Sequence, residues 1–226
     1  MNGTLTGLPE MIAPSPFANS PGRMPSVMSR LARAIFAHRL LIGLLMVIPA
    51  LLTAQPRTLW SGWEMEGMLL SNLCIAAGMT LRCLGSGFAG THTRTGKIEA
   101  PELATGGPFA YVRNPIYLGT IMVGLGMVGT IGDSSLLVFC VVAFTVLYSA
   151  IIPAEERFLR NTFGSRYDAF FHAVPRLIPR LTRWSGAMEG KFHWSALKEE
   201  LPVAVVLLAI YCAIEIAWRL REQAGL

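Results

Sequence analysis

Few of the residues are charged, and cysteine and histidine are scarce. Only 15% of the 226 residues are charged, while 53% are hydrophobic, whereas soluble domains carry roughly a quarter charged residues. The four cysteines lie in apolar segments without a CxxC pair, and the four histidines are scattered singly. The cysteines are therefore expected to be buried apolar side chains, and no protein-bound metal is predicted. The composition favours a membrane protein.

The net charge of +5 does not indicate a nucleic-acid partner, because the basic residues lie between the apolar runs. They are concentrated before the first run, in the loop 85–114 and in the segment 157–200. The connections 55–66 and 132–135 hold only Arg57 as a positive charge. The positive-inside rule therefore places the basic segments in the cytoplasm, facing anionic membrane lipids.

The apolar runs predict an all-α fold, a polytopic membrane bundle of four to five transmembrane helices. The four predicted spans are 31–52, 67–84, 115–131 and 136–152. A last apolar run, 201–218, is long enough to cross the membrane but contains Glu215, so spanning and interfacial placements both stay open. The predicted organisation is a flexible tail over 1–29, a membrane domain over 30–200 and a C-terminal apolar helix over 201–226.

A polar segment, 107–117, precedes the third span, and the patch 153–156 follows the fourth. The turn between these spans, 132–135, is so short that they must form an antiparallel hairpin. The hairpin brings Arg113 and Asn114 beside Glu155 and Glu156 on the cytoplasmic side. Such side chains at a bilayer border cost free energy unless they pair with each other or with a ligand, so the pattern predicts a polar site.

Local patterns give four further expectations. Arg82 ends the second span and is expected to snorkel to the interface. Asn114 before Pro115 predicts a helix N-cap, and the apolar spacing over 155–167 predicts an amphipathic helix on the membrane surface. Small-residue spacings that include Gly119, Gly124, Gly126 and Gly129 predict close helix packing.

These motifs together resemble one family of membrane enzymes. The ordered set is Gly107-Pro108-Phe109, Arg113-Asn114-Pro115-Ile116-Tyr117, Glu155-Glu156, Phe163-Gly164, Tyr167 and Val174-Pro175-Arg176-Leu177-Ile178-Pro179. It resembles the isoprenylcysteine carboxyl methyltransferase and phospholipid methyltransferase family over about residues 79–180. The resemblance implies an integral membrane enzyme with a cytoplasmic pocket for S-adenosylmethionine. The methyl acceptor would be lipophilic, either a lipid or an isoprenoid-type carboxylate, amine or thiol.

Carried over by position, the resemblance implies a set of site residues. The cofactor contacts fall on Leu103, Ala104, Phe109, Asn114, Pro115, Ile116, Tyr117 and Glu155. Arg94, Pro101 and Glu102 occupy positions that can also line the cofactor. Arg113 and Glu156 are assigned as catalytic: Arg113 would pair with the cofactor carboxylate, and Glu156 or Arg176 would assist deprotonation or acceptor binding.

Three departures from the family pattern concern the substrate. Asn114 and Pro101 stand where the prenylcysteine enzymes have histidines, and Ile151 stands where a substrate-contacting arginine is found. These changes weaken a prenylated-protein substrate and leave the cofactor interpretation in place. Two alternatives stay open: an NADPH-dependent enzyme like the sterol and steroid reductases, which have a similar Arg-x-Pro-x-Tyr region, and a non-catalytic lipid-binding membrane protein.

Overall fold

The computed structural model describes residues 58–90 and 102–224, without a few side chains of the last helix, and over these residues the fold is all-helical. No strand occurs in either range, as predicted. The α-helices are α1 (Glu64–Ala89), α2 (Pro115–Ile131), α3 (Ser134–Phe163), α4 (Ser165–Ala173) and α5 (Ser195–Ala224), with 3-10 turns at Thr58–Trp60 and Gly107–Ala110. The predicted tail and first span lie outside the described residues.

Helices α2 and α3 form the predicted hairpin. Pro115 occupies the first turn of α2, where its missing N–H costs nothing, and Gly132 ends the helix at φ +75°, in the left-handed region that favours glycine. Asp133 then caps α3, because its Oδ1 accepts a hydrogen bond of 2.9 Å from the Leu136 N–H. With only two residues between the helices, α2 and α3 run antiparallel.

Glycines bring α1 and α2 into close contact. A Cβ atom at Gly119 would lie 2.5 Å from the carbonyl oxygen of Gly78, and one at Gly126 would lie 2.7 Å from that of Ser71. No side chain fits at these distances, so the backbones meet directly. The predicted close packing is therefore confirmed for these two glycines. The opposite side of α2 faces α3, where Gly124 lies against the ring of Phe144.

Helix α3 differs from the prediction at its C-terminal end. It continues through Pro153 to Phe163, so the separate surface helix expected over 155–167 is wrong. A single proline removes one hydrogen bond of the helix, and the flanking turns maintain the rest. The helix ends at Gly164, which has φ +55°, and the chain then turns into the short helix α4.

Helices α1 and α3 are long and apolar enough to cross a membrane, and α2 is apolar but shorter. Large apolar side chains are exposed on α1, α3 and α5, among them Leu69, Leu73, Val142, Val146 and Val205. Exposed apolar surface of this kind marks a face that contacts lipid or a partner. Helix α5 begins at Ser195, so the boundary placed between residues 200 and 201 lies within it.

Candidate functional site

A carboxylate shared by two arginines lies at the open end of the α2–α3 hairpin. Arg176 donates to Glu156 from Nε and Nη2, at 3.1 Å to Oε1 and 2.6 Å to Oε2. Arg113 places its Nη2 3.3 Å from the same Oε1. The bidentate pair and the second guanidinium fix the orientation of the Glu156 carboxylate. The hydrogen bond to Glu156 also raises the pKa of Arg176.

Arg113 contacts Phe171 as well as Glu156. Its Nη1 donates to the carbonyl oxygen of Phe171 at 2.6 Å, and its guanidinium lies 4.0 Å from the centroid of the Phe171 ring. The side chains of Arg113 and Glu156 are only 8% and 7% exposed. Burial lowers the pKa of Arg113 although Glu156 opposes the shift. Arg113 is thus an internal cation and not a surface anchor for lipid headgroups.

Tyr117 and Glu155 make a second contact across the hairpin. The Tyr117 hydroxyl donates to Oε2 of Glu155 at 2.6 Å, and both residues are half-buried. The Tyr117 ring lies 5.1 Å from the ring of Tyr148, which stacks on Phe144 at 6.0 Å. The Glu155 carboxylate therefore lies beside an aromatic surface. It is one residue along α3 from Glu156, which with Arg113 and Arg176 forms what we call the arginine cluster.

The segment 174–184, which we call the proline loop, is bound to the start of α2. The backbone N–H groups of Arg113, Arg180 and Trp184 donate to the carbonyl oxygens of Pro175, Tyr111 and Ala110 at 2.9, 2.9 and 3.0 Å. Asn114 adds a bond of 3.0 Å from Nδ2 to the carbonyl oxygen of Arg176. Asn114 occupies the N-cap position of α2 as predicted, but its side chain binds the proline loop and makes no capping hydrogen bond.

Two other predicted cofactor contacts, Leu103 and Phe109, belong to an apolar cluster. Leu103 is buried in a cluster with Tyr167, Phe170 and Val174, and Phe109 packs against this cluster. Burial in this cluster, together with the nearby Glu156, raises the pKa of Tyr167.

For the remaining predicted cofactor contacts among the described residues, the structure gives burial and packing but no polar contact that indicates a ligand. Pro115 is buried and Ile116 lies against Gly85 of α1, whereas Ala104 is half-buried. Glu102 is exposed, and Arg94 and Pro101 lie outside the described residues. The structure thus brings Arg113, Asn114, Tyr117, Glu155 and Glu156 to one end of the hairpin. The assignment of ligand contacts stays a prediction for all of them.

A second buried polar cluster was missed by the sequence analysis. Nη2 of Arg82 lies 3.0 Å from Oε2 of Glu200 on α5, and both side chains are buried. Ser86 donates to the other oxygen of Glu200, and Arg82 also donates to the hydroxyl of Thr120. The prediction that Arg82 snorkels to the interface is wrong, because pairing with Glu200 offsets its burial. The signal in the sequence was weak: Arg82 lies within the second apolar run, and Glu200 directly precedes the last one.

One comparison with known protein families matches the part of the chain that contains this site. Residues 67–166 match the family model described as phospholipid methyltransferase. This part of the chain belongs to that family. The matched segment includes Arg113, Tyr117, Glu155 and Glu156, and with the apolar helices α1 and α3 it indicates a membrane protein.

Three relatives are similar to the chain. Cobalt-zinc-cadmium resistance protein CzcN of Cupriavidus metallidurans is 26% identical over 206 residues, which are 89% of this chain and 93% of the relative. Nickel-cobalt-cadmium resistance protein NccN of Alcaligenes xylosoxydans xylosoxydans is 25% identical over 80% of this chain and 86% of its own. Protein-S-isoprenylcysteine O-methyltransferase of Schizosaccharomyces pombe is 37% identical over 78 residues, 34% of this chain and 33% of its own. No solved structure matches significantly.

Proposed function

We propose that the protein is a membrane-embedded methyltransferase that uses S-adenosylmethionine and acts on a lipophilic acceptor. The observation that carries this proposal is the Tyr117–Glu155 pair beside the aromatic surface of Tyr148, within the segment that matches the methyltransferase family. This pair lies at the end of an apolar hairpin, where a soluble cofactor and a membrane-dissolved acceptor can meet.

The chemistry of these residues fits the cofactor. S-adenosylmethionine carries a cationic sulfonium and amine, ribose hydroxyls, an adenine ring and a carboxylate. Glu155 offers a half-buried anion for the cationic groups or the hydroxyls, and Tyr117 offers a ring for adenine. Among the described residues Nε of Arg113 is a buried donor without a partner, which suits an oxygen of the ligand. When bound, the cofactor supplies an activated methyl group.

The arginine cluster is proposed to act by positioning. Arg113 and Arg176 hold the Glu156 carboxylate, and the same two residues bond the proline loop to the start of α2. The cluster therefore fixes the spacing of α2, α3 and the loop around Tyr117 and Glu155. Correct placement of reacting groups and exclusion of water are the main work that methyl transfer asks of a protein.

The membrane placement is also part of the proposal. Hydrocarbon about 30 Å thick needs roughly 20 helical residues, whereas α3 has 30 residues. If α3 enters the membrane near Ser134, the chain leaves it near Pro153, so Glu155 and Glu156 lie at its border. With the first apolar run and α5, the bundle has four to five spans. The positive-inside rule supports the cytoplasmic side for this border, because the basic segments flank it.

A thermal-shift measurement on the purified protein in detergent distinguishes this function from the reductase alternative. S-adenosylmethionine is expected to raise the unfolding temperature, because a ligand that binds only the folded state stabilises it, and NADPH is expected to leave it unchanged. A shift with NADPH and none with S-adenosylmethionine would favour the reductase.

The names of the two relatives that cover most of the chain state a resistance to metals and no reaction. These names therefore identify no methyl acceptor. We propose to identify the acceptor by methyl-label incorporation into total lipid extracts. A labelled lipid that is absent from a deletion strain and reappears when the wild-type chain is restored is the product. No difference in labelled lipids between the strains would favour the non-catalytic alternative.

A further inference from the structure

The proline loop holds two large apolar side chains in an exposed position. Ile178 is 81% exposed and Leu181 is 99% exposed. Exposure of a leucine or isoleucine to water is unfavourable compared with an apolar environment. They flank Pro179 and Arg180, so the two apolar tips project from one short turn of the chain.

The exposure is built into the loop and does not result from a loose segment. Three backbone hydrogen bonds join the loop to residues 110–113. Nη1 of Arg180 also donates to the carbonyl oxygen of Ala173 at 2.9 Å, and Val174 is buried at the start of the loop. Pro175 and Pro179 restrict the backbone further. These bonds fix the backbone on both sides of Ile178 and Leu181.

The loop lies at the level of the membrane border. Its hydrogen-bond partners, residues 110–113, directly precede α2, and Glu156 of α3 is bound to Arg176 of the loop. In the placement proposed above, this end of the hairpin emerges from the hydrocarbon. The exposed tips are therefore within reach of the lipid headgroups on the same side as the candidate site.

The charge around the tips matches an anionic lipid surface. Residues 174–194 contain four basic residues and one acidic residue. Arg183 is exposed beside Leu181, and the half-buried Arg180 lies between the two apolar tips. Protein segments that bind at the boundary between acyl chains and headgroups typically combine apolar side chains with neighbouring cations.

We propose that the proline loop is an interfacial anchor for an anionic leaflet. Ile178 and Leu181 insert at the acyl-chain boundary, and Arg180 and Arg183 lie among the phosphates. This role depends on the membrane placement of the hairpin but not on methyl transfer. A protein that binds no S-adenosylmethionine would still insert the loop, so failure of one proposal is distinguishable from failure of the other.

Site-directed spin labelling tests the anchor. Single cysteines replace Ile178, Leu181, Thr182 or Ser185 in a chain whose four natural cysteines are changed to alanine, reconstituted in nanodiscs of phosphatidylcholine with or without phosphatidylglycerol. Labels at 178 and 181 are expected to show high accessibility to oxygen and low accessibility to a water-soluble nickel chelate. Labels at the exposed control positions 182 and 185 are expected to show the reverse.

The outcomes distinguish the possible surroundings of Ile178 and Leu181: lipid, water or a second protein chain. A ratio of oxygen to nickel accessibility at labels 178 and 181 that increases severalfold with phosphatidylglycerol supports insertion into an anionic leaflet. An equal ratio in both kinds of nanodisc contradicts the role of the arginines. Labels at 178 and 181 that stay as open to nickel as the controls would overturn the anchor. Labels shielded from both oxygen and nickel in detergent would overturn it in favour of a contact with a second chain. Because the side chains at 178, 181, 182 and 185 are exposed, the labels at these positions are expected to leave the packing of the fold intact. The unlabelled cysteine-free chain is the control for the four alanine substitutions, one of which removes the buried Cys140.

Discussion

At the scale of single residues, Glu156 is the side chain on which the candidate site depends most. It forms ion pairs with both Arg113 and Arg176. The substitution Glu156→Gln leaves a buried guanidinium without its counter-charge, a change that typically costs about 3–5 kcal/mol. We expect the unfolding temperature in detergent to fall by on the order of 10 °C. Glu155→Gln, one residue away, is the control and is expected to cost much less, so equal losses would contradict the assignment.

Tyr117 is expected to affect ligand binding more than stability. Tyr117→Phe keeps the ring beside Tyr148 and removes the hydrogen bond that orients the Glu155 carboxylate. We expect a loss of about 1 kcal/mol in stability and a severalfold weaker affinity for S-adenosylmethionine in a titration. Tyr111→Phe, at an exposed tyrosine of the same segment, is the matched control. An unchanged affinity in Tyr117→Phe would remove Tyr117 from the cofactor site.

Part of the residue-scale picture was predictable. The proximity of Arg113 to Glu156 and of Tyr117 to Glu155 follows from the short turn at 132–135, because an antiparallel hairpin aligns its two open ends. The pairing of Arg82 with Glu200 was not predictable, since the two residues belong to helices with no short connection. The contact of Arg113 with Phe171 was also missed, because nothing distinguishes this aromatic residue from its neighbours in the sequence.

At the scale of elements, the Arg82–Glu200 pair joins α5 to α1. Arg82→Met and Glu200→Leu are each expected to cost about 3–5 kcal/mol, because each leaves a buried charge unpaired. The double variant, which removes both charges and keeps apolar volume, is expected to recover much of that loss. Thermal unfolding of the four proteins gives the coupling free energy. A double variant with the summed loss of the two single variants would show that the pair does not join the helices.

The glycine contact between α1 and α2 gives a second prediction about elements. A methyl group at Gly119 would overlap the backbone of Gly78, whereas one at Gly124 would meet only the far end of the Phe144 side chain, which can shift. We expect Gly119→Ala to lower the unfolding temperature clearly more than Gly124→Ala. Because both positions lie in α2, the comparison cancels the gain in helix propensity. Equal effects would contradict direct backbone contact.

Element boundaries were predictable where the chain carries strong local signals. Helix α2 has the predicted bounds, because Pro115 begins it and Gly132 ends it. The prediction failed at Pro153, which was taken as a boundary although α3 continues through it. The ends of α1 and α5 also extend beyond the apolar runs, because hydropathy shows where a helix is apolar and not where its hydrogen bonds stop.

At the scale of the whole molecule, the membrane placement predicts the location of two loops. A reporter enzyme active only in the cytoplasm is expected to be active when fused after Gly186, which follows the proline loop. The same reporter is expected to be inactive when fused after Asp133, in the turn of the hairpin. The reverse result would place the candidate site on the other side of the membrane and contradict the positive-inside assignment.

The central claim concerns the whole molecule, because the cofactor must meet an end of the bundle that α2, α3 and the proline loop build together. Isothermal titration calorimetry of the purified full-length protein with S-adenosylmethionine tests it most directly. We predict saturable binding at one site per chain in the wild type and a large loss of affinity in Glu155→Ala, with Tyr111→Phe unchanged. No saturable binding in the folded wild-type protein, or binding that Glu155→Ala leaves unaffected, would contradict the account.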